Sequence, residues 1–412
     1  VRRIGAIATA LSIVMTSWVA VWSPVQAFAA SQDIGEFHLT APTRIVDTRI
    51  NLGHAGPLAS NEAAVIDPRV VAPDLFLANA YVVNVTVVDP GAPGNIELAP
   101  WAGPTPGPSK SSAVNFVAGR TVANLATAWT DLRDMRLAVV NRSVGSTQVI
   151  VDVLGYYSFG TSEVSPGMMA PRTTASFGRV LDTRQSGSVP ANGSVTVAVA
   201  GIADANLGTA LANVTVVDAK APGHVTADPQ DRTSVVNYTT GDTVANLAYL
   251  PIQNGRTVTL YNRSTGPIDL VVDIAGEFYA NTAPREAGVP LYDGRFVSVP
   301  TARLVDTRIN LGAPGPVGPD GSFRVPLTGL PANATAVVVN LTTTEATAPG
   351  SVVAWATGTR EPSTSNVNVA VGRSVANLAI VPLGSDRSVT VLSHNVGRVQ
   401  LIVDVAGYYV GA

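Results

Sequence analysis

Cysteine is absent from this 412-residue chain. No disulfide can brace the fold, and thiolate catalysis and cysteine-held metal sites are excluded. Lysine is nearly absent as well: Lys110 and Lys220 stand alone, and arginine carries the rest of the positive charge. Lys–Asn isopeptide crosslinks therefore cannot brace the whole chain, because no lysine follows residue 220. Charged residues make up 13% and the formal net charge is −3, so no basic stripe is present to neutralise a phosphate backbone. Nucleic acid is not an expected partner. Histidine chemistry has little to work with. His38, His54, His224 and His394 fall at unrelated places, and the chain has no His-Glu-x-x-His, Gly-x-Ser-x-Gly, phosphate loop or EF-hand loop. These gaps point away from an enzyme and from a bound cofactor or metal.

What is present is repetition. Arg-Ile-Val-Asp-Thr-Arg at 44–49 recurs as Arg-Val-Leu-Asp-Thr-Arg at 179–184 and Arg-Leu-Val-Asp-Thr-Arg at 303–308. Each copy opens a block that closes on Val-Asp-(Val/Ile)-x-Gly-x-aromatic, at 151–157, 272–278 and 403–409. Self-similarity at a fixed period predicts three domains of about 120 residues, each long enough to bury a core. The expected boundaries are 30–160, 161–285 and 286–412. Segments 160–175 and 281–288 read as short Pro/Gly-containing linkers that permit limited hinge motion.

Residues 1–29 read as a signal peptide. Arg2 and Arg3 precede an apolar run over 4–22, and Ala27-Phe28-Ala29 offers a small-x-small cleavage site. Retention of that run as an anchor is the alternative. Cleavage leads to a secreted protein, extracellular or cell-wall associated, without membrane contact.

Within each block, short Val-, Thr- and Ile-rich stretches alternate with Pro-Gly, Asn and Asp turns. Segment 81–88 ends at Asp89-Pro90-Gly91, and counterparts over 211–218 and 336–343 end at Pro222-Gly223 and Pro349-Gly350. β-Branched residues suit a pleated surface, and Pro-Gly favours tight turns. The expected fold class is all-β, as three tandem β-sandwich-like domains.

The repeated charges read first as structure. Asp47 and Arg49, Asp182 and Arg184, and Asp306 and Arg308 lie at the first strand of each block. Asp152, Asp273 and Asp404 lie in the last. An Asp–Arg pair joining first strand to last would fix register. Asn84, Asn213 and Asn340, with Asn124, Asn246 and Asn377, recur in strands, either to satisfy backbone groups or to grip sugar hydroxyls. Aromatic residues give the functional lead. Trp101 and Trp355 occupy nearly the same place in the outer repeats, where the middle repeat has Ala227-Asp228-Pro229. An indole beside a Pro/Gly loop can stack on a sugar ring, with Arg360 and Asn366 supplying hydrogen bonds. The competing reading is a Trp that caps a sheet edge.

The motif set resembles a repeat of secreted and surface-exposed actinobacterial proteins. The matches are Pro42-Thr43-Arg44 through Arg49, Asn84-Val85-Thr86, Ala92-Pro93-Gly94, Ser112 to Phe116, Val122 to Leu125, and Asp152 to Tyr157. The third block matches through Asp404 to Tyr409. The middle block departs at Ser176-Phe177-Gly178-Arg179 and at Glu277-Phe278, so a tyrosine role does not carry over there. The resemblance implies a secreted, β-rich repeat protein. The expected function is non-catalytic, multivalent binding or adhesion at the cell envelope, with cell-wall polysaccharide or another carbohydrate as ligand. A structural spacer that docks on another envelope protein is the alternative, and a glycan-active hydrolase is a third option.

Overall fold

Valine and threonine crowd the pleated segments, and every long segment forms a strand. The computed structural model describes residues 34–70, 78–101, 103, 112–130, 134–159, 169–171, 178–199, 207–253, 256–279, 295–327 and 329–411. The expected signal peptide lies outside them. The described residues are all-β, with short 3-10 turns and no α-helix. Repeat 1 holds β1 (Ile34–Asp47), β2 (Ala63–Ile66), β3 (Ala78–Val88), β4 (Gly94–Pro100), β5 (Val114–Phe116), β6 (Val122–Trp129), β7 (Leu137–Asn141) and β8 (Gln148–Phe159). Repeat 2 holds β9 (Met169–Pro171), β10 (Gly178–Asp182), β11 (Ser194–Ala198), β12 (Leu207–Val217), β13 (Gly223–Thr226), β14 (Val236–Tyr238), β15 (Val244–Pro251), β16 (Thr257–Ser264) and β17 (Asp269–Tyr279). Repeat 3 holds β18 (Arg295–Asp306), β19 (Ser322–Pro326), β20 (Ala334–Thr344), β21 (Gly350–Ala356), β22 (Val367–Val369), β23 (Val375–Pro382), β24 (Ser388–Asn395) and β25 (Gln400–Val410).

Each repeat contributes two antiparallel four-stranded units. In repeat 1 they run β1-β8-β3-β6 and β2-β7-β4-β5, and repeats 2 and 3 follow the same order. The segment expected to be a linker, 160–175, contains β9, which pairs with β17 at Met169↔Phe278. β1 also pairs with β18, through Ile34↔Val297 and Gly35↔Phe296, so repeats 1 and 3 share one eight-stranded sheet.

Three apolar clusters lie one within each repeat. A fourth is built from all three, with Phe37, Leu125 and Tyr157, Leu211, Tyr249 and Phe278, and Phe296, Leu378 and Tyr409 among its members. The three expected tandem domains therefore join into one body of six four-stranded units, of which β1-β8-β3-β6, β10-β17-β12-β15 and β18-β25-β20-β23 line the common centre. The cause is edge protection. β6, β15 and β23 end their sheets, and an uncovered edge strand would expose its amides and carbonyls. Here β6 lies against β15, β15 against β23, and β23 against β6.

The closing glycine motif belongs to this centre. A Cβ at Gly155 would come within 2.6 Å of the Phe37 ring, and one at Gly407 would strike Phe296. Glycine thus lets an aromatic ring from the first strand lie flat on the last. The next aromatic but one, Tyr157 or Tyr409, points into the same cluster. Tyr157 Oη lies 2.9 Å from Tyr249 Oη and 2.5 Å from Tyr409 Oη. The middle repeat has Phe278 at that position, without a hydroxyl. Tyr249, on β15, supplies the third phenol. Each buried aromatic contributes about 1.5–3 kcal/mol through burial.

Candidate functional site

The repeated Asp-Thr-Arg triplet braces a 3-10 turn and ties it to the closing strand of each repeat. Asp47 caps a 3-10 turn by accepting the Arg49 N–H at 3.2 Å, and Arg49 folds back onto the same carboxylate at 2.7 Å. The middle residue carries the link to the closing strand. Thr48 Oγ1 accepts the Val149 N–H at 2.9 Å, Thr183 accepts that of Leu270 at 2.7 Å, and Thr307 that of Leu401 at 2.9 Å. Asp182 and Asp306 are held by Arg184 and Arg308 at 2.6 and 2.7 Å. Those arginine hydrogen bonds keep the Asp47, Asp182 and Asp306 carboxyls below their ordinary range.

The arginine that reaches the last strand is the earlier one of the motif. Arg44 grips Asp152 with two bonds at 2.8 and 3.2 Å, Arg179 grips Asp273 at 3.0 and 3.2 Å, and Arg303 grips Asp404 at 2.8 and 3.2 Å. In each repeat these partners face one another across the strand pair, as in Arg44↔Asp152. Burial pushes the Asp152 and Asp273 carboxyls up, against the pull of their arginines.

The same arginines and the repeated asparagines then reach across the joints between repeats. Arg44 Nη2 donates to Arg232 O at 2.8 Å, and Arg179 Nη2 to Ser363 O at 3.4 Å. Asn84 donates to Ser234 O at 2.8 Å, Asn213 to Ser365 O at 2.7 Å, and Asn340 to Ser112 O at 2.7 Å. These three bonds run from repeat 1 to 2, 2 to 3 and 3 to 1, so they close a cycle. The edge-strand amide of Leu125 is donated to Asn246 Oδ1 at 3.1 Å, and that of Leu247 to Asn377 Oδ1 at 2.9 Å. One position breaks the threefold pattern of charge. Arg120, Asp242 and Arg373 are equivalent residues before the Val-Ala-Asn-Leu strands, and the buried Asp242 bridges Arg120 to Arg373, the latter at 3.4 Å. Three arginines would repel there, whereas one aspartate between two arginines attracts.

The joints differ in how completely they close. Between repeats 2 and 3, Asn377 Nδ2 donates to Asn213 Oδ1 at 2.8 Å, and a crevice of only about 20 Å³ remains. Between repeats 3 and 1 the equivalent bond, Asn124 to Asn340, is 3.4 Å, Asn124 Oδ1 is itself buried without a partner, and the crevice is about 30 Å³. Between repeats 1 and 2 that bond is missing. Asn84 lines a cleft of about 210 Å³ there, and its Oδ1 is buried beneath the cleft surface without a partner.

The wall of this cleft is the Ala227-Asp228-Pro229 loop that distinguishes the middle repeat. Asp228 accepts from the Gln230 and Arg232 amides at 3.0 and 3.1 Å and from Arg232 Nε at 2.7 Å. Burial works to raise its carboxyl, but Arg232 and the two amides outweigh that and hold it below the ordinary range. The loop is thus a rigid, charge-compensated turn. Arg232, Pro251 and Gln253 stand at the exposed mouth, while Asn84, Asn246, Leu247 and Tyr249 form the buried inner end.

The tryptophans lie elsewhere. Trp355 on β21 is 9% exposed, and its Nε1 donates to Thr359 O at 3.2 Å. Asn366 accepts the Ala354 N–H at 2.7 Å, and Arg360 is exposed. Trp101 is half-buried after β4. Trp129 is half-buried and lines the small crevice between repeats 3 and 1. None of Trp101, Trp355, Arg360 and Asn366 lines the large cleft. Sequence reasoning named Arg49, Arg184 and Arg308 as the closing arginines, where Arg44, Arg179 and Arg303 make the bonds to the last strand, and it passed over Asp242. The signal for Asp242 was available, as one acidic residue among two arginines at an otherwise repeated position.

No family model matches the chain, and no curated protein matches it. Among solved structures, the chain is similar to one from the work described as "The Triple Jelly Roll Fold and Turret Assembly in an Archaeal Virus", at 10% identity over 90% of both chains, with a TM-score of 0.17. It is also similar to a chain of Sulfolobus Turreted Icosahedral Virus at 10% identity and TM-score 0.17, over 92% of this chain and 91% of that one. At that TM-score the likeness carries no argument about fold or function.

Proposed function

We propose that this is a secreted, non-catalytic binding protein of the cell envelope, and that it recognises carbohydrate in the cleft between repeats 1 and 2. In this reading each repeat is a β-sandwich-like unit, and the three units form one scaffold that presents the cleft. The observation that carries it is the unequal closure of three equivalent joints: two keep crevices of only about 20 and 30 Å³, and the third stays open as a cleft of about 210 Å³. Concave sites with an apolar lining and a few convergent polar groups are where ligands bind. The resemblance to actinobacterial surface repeats supports the location.

A glycan array probed with the mature chain tests the reading. Binding that is abolished by Gln253→Trp at the cleft mouth, and kept by Trp355→Ala, supports it. Silence across wall polysaccharides favours a spacer that contacts another envelope protein, and release of reducing sugar favours a hydrolase.

A further inference from the structure

We infer that one end of the molecule is a self-association face, on which a second copy packs end to end so that repeat 1 meets repeat 3 of the other copy. Strand direction defines this end. In repeat 1, β1, β3, β5 and β7 finish there while β4, β6 and β8 begin there, so the turns over 48–58, 89–94, 117–121 and 142–147 adjoin. The Gly119 amide donates to Pro90 O at 2.7 Å, and that of Leu58 to Thr147 O at 2.9 Å. Arg120, Asp242 and Arg373 meet there, which sets the equivalent turns of all three repeats at the same end.

Apolar exposure is concentrated on this face. Among the described residues eight large apolar side chains are exposed, and seven lie in these turns, Val70 being the exception. Single exposed apolar residues are ordinary, whereas a group on one face marks an interaction site. Two repeats hold theirs out in the same way. Thr-Arg-Ile-Asn-Leu-Gly occurs at 48–53 and at 307–312, with Asn51 and Asn310 both left-handed at φ 59° and 57°. Each asparagine side chain accepts the amide five residues on, that of Gly56 or Gly315, at 2.8 Å. The loops are thus preset, with Ile50 68% and Ile309 69% exposed and Leu52 and Leu311 beside them. Val144 and Val396 are exposed in the β7–β8 and β24–β25 turns of the same two repeats. Repeat 2 carries Gln185, Gly187 and Thr265 at the corresponding places.

That pattern selects a second copy as the occupant. A twofold axis perpendicular to the axis of the three repeats, and in line with repeat 2, sets repeat 2 against repeat 2, 1 against 3 and 3 against 1. The order apolar, polar, apolar is unchanged by this operation, so every apolar tip meets an apolar tip. Charge agrees with it. Asp89 in repeat 1 and Arg398 in repeat 3 are exposed in adjoining turns of this face, and neither side chain is bonded among the described residues. The twofold brings Asp89 of each copy to the Arg398 side of the other, so the attraction is made twice. By contrast Arg49 and Arg308 already hold Asp47 and Asp306, and Arg120 and Arg373 share Asp242. A lipid surface would have to bury the Asp89 carboxylate without a partner. The cleft mouth at Pro251 and Gln253 lies past the far end of β15, so pairing leaves it open and a dimer presents two clefts. Pairing at this face does not depend on what the cleft binds.

Sedimentation velocity of the protein over about 1–100 μM is the test. The expected result is a weight-average mass that rises from one chain to two and no further. Asp89→Arg alone and Arg398→Asp alone each weaken association by about tenfold or more, because each sets like charges together twice. An equimolar mixture of those two variants recovers association to within about threefold of the unaltered protein, because both contacts are then opposite in sign. Ile50→Ser with Ile309→Ser weakens association by about tenfold or more, with the melting temperature unchanged. A monomer throughout, growth past a dimer, or a mixture no stronger than its components would overturn the inference. So would a monomer that floats with phosphatidylcholine vesicles and ceases to do so on Ile50→Ser with Ile309→Ser, which would mark the face as lipid-binding.

Discussion

The joint between repeats 2 and 3 and the joint between repeats 1 and 2 use equivalent residues and end differently. At the first, Asn213 spends both ends of its carboxamide, giving to Ser365 O and receiving from Asn377. At the second, Asn84 gives to Ser234 O and receives nothing. The joints can differ because each is closed by its own small set of bonds; Asn124 Oδ1 between repeats 3 and 1 is also buried without a partner, yet the crevice there is only about 30 Å³. The difference lies in the loop that faces each joint. Repeat 2 presents the arginine-braced Asp228 turn, whereas repeat 3 presents the longer connection after Trp355.

The most damaging way to break the comparison is to remove the charge that serves both joints. Asp242→Ala leaves Arg120 and Arg373 facing each other, and the expected loss is about 3–5 kcal/mol in denaturant unfolding. Exchanging the charges, with Arg120→Asp and Asp242→Arg together, keeps two arginines and one aspartate. It recovers most of that loss if mutual attraction is what the position supplies.

The asparagines separate the two joints directly. Asn213→Ala breaks two bonds and leaves Asn377 Nδ2 short of a partner, for about 2–3 kcal/mol. Asn84→Ala breaks one bond and removes an atom that was already bare, for about 1 kcal/mol. Equal losses in chemical melts would remove the distinction.

The common centre responds to alkali. Burial pushes the Tyr157 and Tyr409 phenols well above their ordinary value and that of Tyr249 up to about 12. Phenols in the unfolded chain ionise near pH 10, so the stability from keeping them neutral is complete below that pH. It falls as pH rises from about 10 through 12. Tyrosinate absorbance should therefore appear together with loss of β-structure, in one step shared by all repeats.

The smallest effect is expected at the turn that follows β10. Asp182→Ala removes a pair whose arginine is 46% exposed, and the cost is below about 1 kcal/mol. Asp273→Ala strips the buried partner of Arg179 and costs several times more in the same assay.

Much of the scaffold is legible in the sequence, and the joints are not. Repeats, strands and the closing aspartate follow from local pattern, because each is a property of a few neighbouring residues. Arg44 and Arg49 cannot be told apart that way: both lie near Asp47, and only the pairing of β1 with β8 shows which one faces Asp152. The asparagines bond across repeats, over separations of 121 to 228 residues in the cases of Leu125–Asn246 and Asn340–Ser112. No local pattern encodes such distances. The suspicion that the variable loop mattered does lead to Asp228, while the indoles that drew attention to it sit away from the cleft.

Hydrogen–deuterium exchange of the protein, with and without a mixture of free neutral hexoses and pentoses, tests the central claim most directly. The account predicts slowed exchange in 227–235 and in β3 around Asn84, with the equivalent segments at the other two joints unchanged. Equal slowing at all three joints, or none at the first, would contradict it.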